Sequence, residues 1–260
     1  TATFAAGPAR DFYLASSAGY VSATAAVGPT TINAYAPAGF EARNEVALAS
    51  AAVALEVYNR RFGPYPYTEL DAVAVQNLAL GVEYPGVIVM NSRLYDPAES
   101  FGATPAEVLL DSVVGHEVAH QWFYSLVGND QPDEPWLDES LTQYATYLYF
   151  LDAHGPAAGA GYRNSFLGRW QSVEQAEIPI GLPAGAYEGN AYSAIVYGRG
   201  PLFFEALSEA MGGPAFDAFL RAYVAEHSWG HASGASLQAT AEASCACDLD
   251  TLFAAWVGPS

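Results

Sequence analysis

A change of hydrophobic period near Pro105 restricts the fold more than any other feature of this chain. Before it, the β-prone runs are short and punctuated by Gly, Pro and Ser: residues 12–14, 20–26, 31–35, 70–75 and 86–90. One long helical pattern, residues 44–60, interrupts them. The segment Phe62-Gly-Pro-Tyr-Pro-Tyr67 then stops that helix with two prolines and a glycine. After Pro105 the pattern turns helical over residues 107–127, 136–153, 201–211, 214–227 and 249–256. Strands first and helices afterwards predict an α+β fold. The expected organisation is one domain, residues 1–260, with a mainly β lobe over 1–104 and a mainly helical lobe over 105–260.

Composition narrows what such a domain can do. Twenty-eight acids against nine basic residues, all arginine, give a formal charge of −19. That balance argues against a nucleic-acid partner, because affinity for phosphate backbones comes from clustered Lys and Arg. It argues against an anionic membrane surface for the same reason. A content of 52% hydrophobic residues is enough to bury a core, which disordered chains cannot do. No apolar run reaches the roughly 18 residues of a membrane-spanning helix. Residues 1–10 lack the basic and apolar regions of a signal peptide, though a processed chain could have lost one. The acidity suits an extracellular or cell-envelope setting, with the cytoplasm left open, and the chain is expected to be a monomer. Cys245 and Cys247 are separated by one residue. A disulfide that tight would be strained, so both are expected as free or partly buried thiols.

The first helix of the second half contains His116-Glu117-Val118-Ala119-His120. Residues four apart share one face of a helix, so both imidazoles can bind a single ion. Glu117 lies about 100° round from His116, beside a metal rather than on it. A catalytic zinc site takes three protein ligands and leaves the fourth position for water. Glu139, in Trp136-Leu-Asp-Glu139-Ser, is the candidate third ligand. Its offset lets one helix end, a loop turn the chain, and a second helix pack back. Two other features are decoys. His227 and His231 repeat the spacing without a glutamate, and the acidic stretch from Asp130 to Glu134 does not fit a calcium loop.

These residues carry a resemblance. His-Glu-x-x-His followed by Glu139 resembles the gluzincin metallopeptidases of the aminopeptidase N and leukotriene hydrolase family. Phe62-Gly-Pro-Tyr-Pro-Tyr-Thr-Glu-Leu-Asp71 is similar to the segment entering that family's catalytic sheet. Gly81-Val-Glu83-Tyr-Pro85-Gly-Val-Ile-Val89 resembles its exopeptidase motif. Tyr192-Ser-Ala-Ile-Val-Tyr197-Gly-Arg-Gly200 resembles its Tyr-x-x-x-x-Tyr-Glu-Lys-Gly segment, and the 249–257 stretch its domain end. Leu80, Val82, Gly198 and Arg199 stand where the family usually has glycine, methionine, glutamate and lysine.

The resemblance implies a thermolysin-like zinc peptidase domain, its β-sheet lobe packed on a helical lobe, with residues 1–40 a remnant of an upstream β-domain. It implies one catalytic Zn2+ held by His116, His120 and Glu139. Glu117 would be the general base and Tyr197 the oxyanion donor. Tyr192 would form a pocket wall, while Gly81 and Glu83 would bind substrate, Glu83 by gripping a free α-ammonium. The run 86–90 would be an edge strand along which a peptide hydrogen-bonds. The implied reaction is hydrolysis of N-terminal peptide bonds in peptides with a free N-terminus. A metalloendopeptidase without an amine requirement and an inactive interaction module on the same fold stay open. An epoxide hydrolase, like the family's leukotriene branch, has no distinguishing residue here.

Overall fold

The computed structural model describes residues 7–101 and 104–258. Residues 1–6, part of the stretch read for a leader and an upstream remnant, lie outside the described residues, as do 102–103 and 259–260. The chain divides into two compact units, Thr1–Asn59 with Pro64–Gln121, and Arg60–Gly63 with Trp122–Ser260.

The first unit is built on a five-stranded sheet. Strands β1 (Tyr20–Val27) and β2 (Thr30–Pro37) form an antiparallel hairpin. Gly28 opens its turn at φ +56°, a conformation that costs a side-chain-bearing residue energy. Helix α1 (Glu41–Phe62) then crosses over, so that β3 (Glu69–Val75) lies parallel to β2. Strand β5 (Val87–Asn91) runs parallel to β3, and β4 (Gly81–Tyr84) pairs antiparallel on its far side. Alternate strand residues Ile32, Ala34, Leu70, Ala72, Ile88 and Met90 are fully buried and share one face of the sheet. Asn44 of α1 donates to Ala34 O of β2 at 2.8 Å. The Tyr58 hydroxyl donates to Gly115 O of helix α2 (Ala106–Ala119) at 2.9 Å.

Two expectations change here. The run 86–90 is not an edge, because β5 sits between β3 and β4 and leaves β4 outermost. The cause is the Pro85-Gly86 turn, with Gly86 at φ +76°, which folds residues 81–84 to the outside. A continuous Val-Ile-Val-Met run suits an interior strand buried on both faces. Residues 12–14 form no strand; Phe12 and Leu14 are exposed, and only Tyr13 packs, stacking on Tyr84 at 4.5 Å.

In the second unit a short strand, β6 (Val127–Gly128), precedes helices α3 (Glu139–His154) and α4 (Pro156–Gln171). Then come α5 (Ala191–Ala194), a π turn (Ile195–Arg199), α6 (Gly200–Met211) and α7 (Gly213–His227). Strand β7 (Gly230–His231) pairs with β6, followed by α8 (Gly234–Cys245) and α9 (Asp250–Trp256). The α4 and α8 helices escape the hydrophobic pattern because glycine and alanine dilute their periodicity. Gly159 of α4 replaces that signal with close approach, since a Cβ there would meet Leu151 of α3 at 3.2 Å. No helix among the described residues is long and apolar enough to cross a membrane.

The expectation of free thiols is also corrected: Cys245 and Cys247 form a disulfide. Ala246, at φ +51° and ψ +40°, turns the chain between them and brings their Cα atoms to 5.2 Å, within the span a disulfide bridges. His227 ends α7 against the Tyr223 ring while His231 lies in β7, so the second histidine pair is divided between elements.

Candidate active site

The first unit supplies the histidine pair. Helix α2 ends at Ala119, eight residues short of the end its pattern predicts (127 − 119). Beyond the cap the chain breaks away, and Tyr124 takes φ +149°. His120 nevertheless keeps right-handed dihedrals (φ −62°, ψ −13°), and its N–H reaches His116 O. The four-residue spacing therefore survives the helix end. The two Nε2 atoms lie 3.1 Å apart, with the rings close to perpendicular at 88°.

Glu117 is 4% exposed. A Cβ added at Gly81 would overlap its carboxylate. Gly81, read from the sequence as a substrate-binding position, is therefore the residue whose missing side chain gives Glu117 its space. Glu83, on the edge strand β4, brings a carboxylate oxygen within 4.8 Å of ligand atoms on Glu117 and His120.

Gln121 follows His120 and was not singled out by its sequence. It is wholly buried, and its side-chain amide bonds the β4–β5 turn twice. Its Nε2 donates to Tyr84 O at 2.9 Å, and its Oε1 accepts from Gly86 N–H at 2.9 Å.

The second unit supplies a carboxylate and two phenols. Glu139 is the first residue of α3, and its N–H donates to the side chain of the cap residue Asp138 at 2.9 Å. Asp138 in turn accepts from Gln131 Nε2 at 2.7 Å. Tyr197 rides on the π turn, which is pinned on three sides. Ser140 Oγ, next to Glu139, donates to Val196 O at 2.6 Å. At Gly198 a Cβ would meet Trp170 N at 2.9 Å and Phe166 O at 3.0 Å, so α4 excludes the family's usual glutamate there. Arg199, 4% exposed, donates to Ile178 O, Trp256 O and Ala255 O at 3.1, 2.9 and 3.2 Å. Its guanidinium lies 4.5 Å from the Trp256 ring centre. A buried cation held by carbonyls at a helix C-terminus is favoured by the helix dipole, although burial lowers its pKa.

The pKa of Tyr197 is driven well up, first by burial and then by the nearby Glu139 charge, and its hydroxyl hydrogen-bonds that carboxylate. Tyr192, whose ring centre is 5.9 Å from that of Tyr197, is raised by the same two causes in the same order. Both hydroxyls are neutral donors at ordinary pH. The structure thus gathers His116, Glu117, His120, Gly81 and Glu83 in one unit, and Glu139, Tyr192 and Tyr197 in the other.

Residues 46–256 match the description "Peptidase family M1 domain". The chain belongs to peptidase family M1. This is the family its motifs resemble, and the α+β fold agrees with it. The chain is 26% identical to "Aminopeptidase M1" of Arabidopsis thaliana over 86% of its own length and 26% of that protein's. With "Aminopeptidase 2" of Candida albicans it shares 28% identity over 82% of itself and 24% of that protein. An M1 zinc metallopeptidase from Deinococcus radiodurans has the same fold, with a TM-score of 0.70 at 24% identity, covering 92% of this chain and 52% of that one. The chain spans about a quarter of the length of these curated relatives.

Proposed function

We propose that this M1 chain is a zinc metallopeptidase acting as an aminopeptidase. The observation that carries the reading is the convergence of the His116 and His120 Nε2 atoms at 3.1 Å, with two carboxylates beside them. Two nitrogens bound to one tetrahedral zinc at about 2.0–2.1 Å would stand about 3.3 Å apart, so the donor pair fits this metal. His116, His120 and Glu139 would hold it, on the motif spacing and the family's pattern. Relatives named as aminopeptidases support the same reading.

When bound, zinc supplies Lewis acidity toward a scissile carbonyl and acidifies a water. Glu117 holds and moves the proton, taking it from the attacking water and giving it to the leaving amine. Its burial beside Gly81 leaves the carboxylate little freedom to turn away. The Tyr197 hydroxyl donates to the oxygen where negative charge develops. With no lysine in the chain, no ammonium side chain can do so. Tyr192 walls the pocket, and Glu83 accepts from a substrate's α-ammonium.

The test is a panel of aminoacyl fluorogenic substrates, run with and without zinc and with a free or acetylated amine. Zinc-dependent release that acetylation abolishes is expected. Cleavage indifferent to acetylation would make the protein a metalloendopeptidase, and no cleavage with zinc bound would leave a binding module.

A further inference from the structure

Strand β4 carries Glu83 but is short and outermost, so its position depends on what holds its ends. At its start, Asn91 Nδ2 donates to Asn77 O at 2.6 Å and Ala79 O at 3.2 Å. At its finish stands Gln121. The primary amide imitates a neighbouring strand, donating to the carbonyl of Tyr84 and accepting from the N–H of Gly86. The Tyr65 hydroxyl donates to Glu69 O at 3.0 Å and lies 3.5 Å from the same Oε1. Gln121 is covalently next to His120, and Tyr84 is covalently next to Glu83. One side chain therefore spans the gap between a histidine of the pair and the carboxylate on the edge strand. A buried amide with both ends satisfied has one orientation, since rotating it would leave a donor or an acceptor without a partner.

We propose that Gln121 is a positioning residue that fixes the separation of Glu83 from the histidine pair, and so sets how well a substrate's free α-ammonium is bound. This rests on the aminopeptidase reading. Gln121 touches no substrate; it acts through the Tyr84–Gly86 turn. Without the clamp the turn still pairs with β5, but Glu83 loses its fixed height above the histidines, and ammonium binding weakens while proton transfer by Glu117 persists.

The experiment measures kcat and KM on an unblocked aminoacyl anilide, with zinc content, for wild type, Gln121→Met, Glu83→Gln and the double variant. Gln121→Met keeps the volume and removes both hydrogen bonds. It is expected to raise KM about tenfold, with kcat changed less than about threefold and one zinc retained. In the Glu83→Gln background the same change is expected to raise KM less than about twofold, because the group being positioned is gone. Calorimetric binding of a free L-amino acid, which has the ammonium and no scissile bond, should weaken in parallel with KM. Should Gln121→Met fail to fold, Gln121→Asn keeps the amide but shortens its reach to the Tyr84–Gly86 turn, and a KM rise of about threefold or more is expected. An unchanged KM, or an equal rise in both backgrounds, would overturn the clamp. Wild type that cleaves N-acetylated substrate equally well would overturn the aminopeptidase reading, whatever the variants do.

Discussion

The two units hold their functional groups by different means. In the unit ending at Gln121, one helix end and one strand carry everything: His116, Glu117 and His120 lie within five consecutive residues, with Gly81 and Glu83 on β4. In the unit from Trp122 onward, Glu139 opens α3 while Tyr197 sits on a π turn far along the chain. That turn has its place only because Ser140, α4 and the Arg199 contacts to α9 hold it there. A local arrangement tolerates damage elsewhere in the fold. An assembled one fails when any of its supports goes.

The comparison can be broken most forcefully at Glu117. Glu117→Gln, which keeps the shape beside Gly81, is expected to lower kcat about 10²- to 10⁴-fold with zinc content unchanged. Retained turnover would remove Glu117 from the chemistry. Tyr197→Phe tests the assembled arrangement of the second unit, with an expected loss of about 10²- to 10³-fold in kcat. Near-normal turnover there would overturn the oxyanion role.

The supports are tested next. Arg199→Met removes the donor from Ile178 O and Ala255 O, leaves Trp256 O with only the Ile180 N–H, and removes the contact with the Trp256 ring. Chemical denaturation should show a loss of about 2–3 kcal/mol. Hydrogen exchange should quicken in α9, while the amides of α2 keep their protection.

The smallest effect concerns the sheet. Asp71 has its pKa raised, chiefly by burial and further by Glu69, while a hydrogen bond from Asn33 opposes both. A carboxyl whose folded pKa lies above its unfolded one costs stability once ionised. The cost is present above the folded value and disappears below the unfolded value of about 3.9. Asp71→Asn should therefore raise Tm by about 1–3 °C at pH 7 and leave it unchanged at pH 3, as read by calorimetry.

The same contrast explains what was legible in the sequence. His116, Glu117 and His120 could be read directly, because helical periodicity alone places them on one face. Glu139 followed from an offset that a helix, a loop and a second helix can span. Tyr197 is one of seventeen tyrosines and emerges only through the resemblance, since no local pattern encodes a π turn pinned from three sides. No local pattern singles out Gln121, despite its place beside His120. Its two acceptor and donor partners lie some thirty-five residues away in sequence, in a turn whose position only the sheet order settles. The interior place of β5 is hidden from the sequence for the same reason. Strand identity was local information, whereas strand order was not.

The central claim, that His116, His120 and Glu139 hold one zinc, is tested most directly by titrating zinc into chelator-treated protein. Wild type, His120→Ala and Glu139→Gln should be compared by calorimetry. The expected result is one zinc per chain in wild type, with affinity weakened about 100-fold or more in each variant. Wild-type affinity in Glu139→Gln, or no stoichiometric zinc in the unaltered chain, would contradict it.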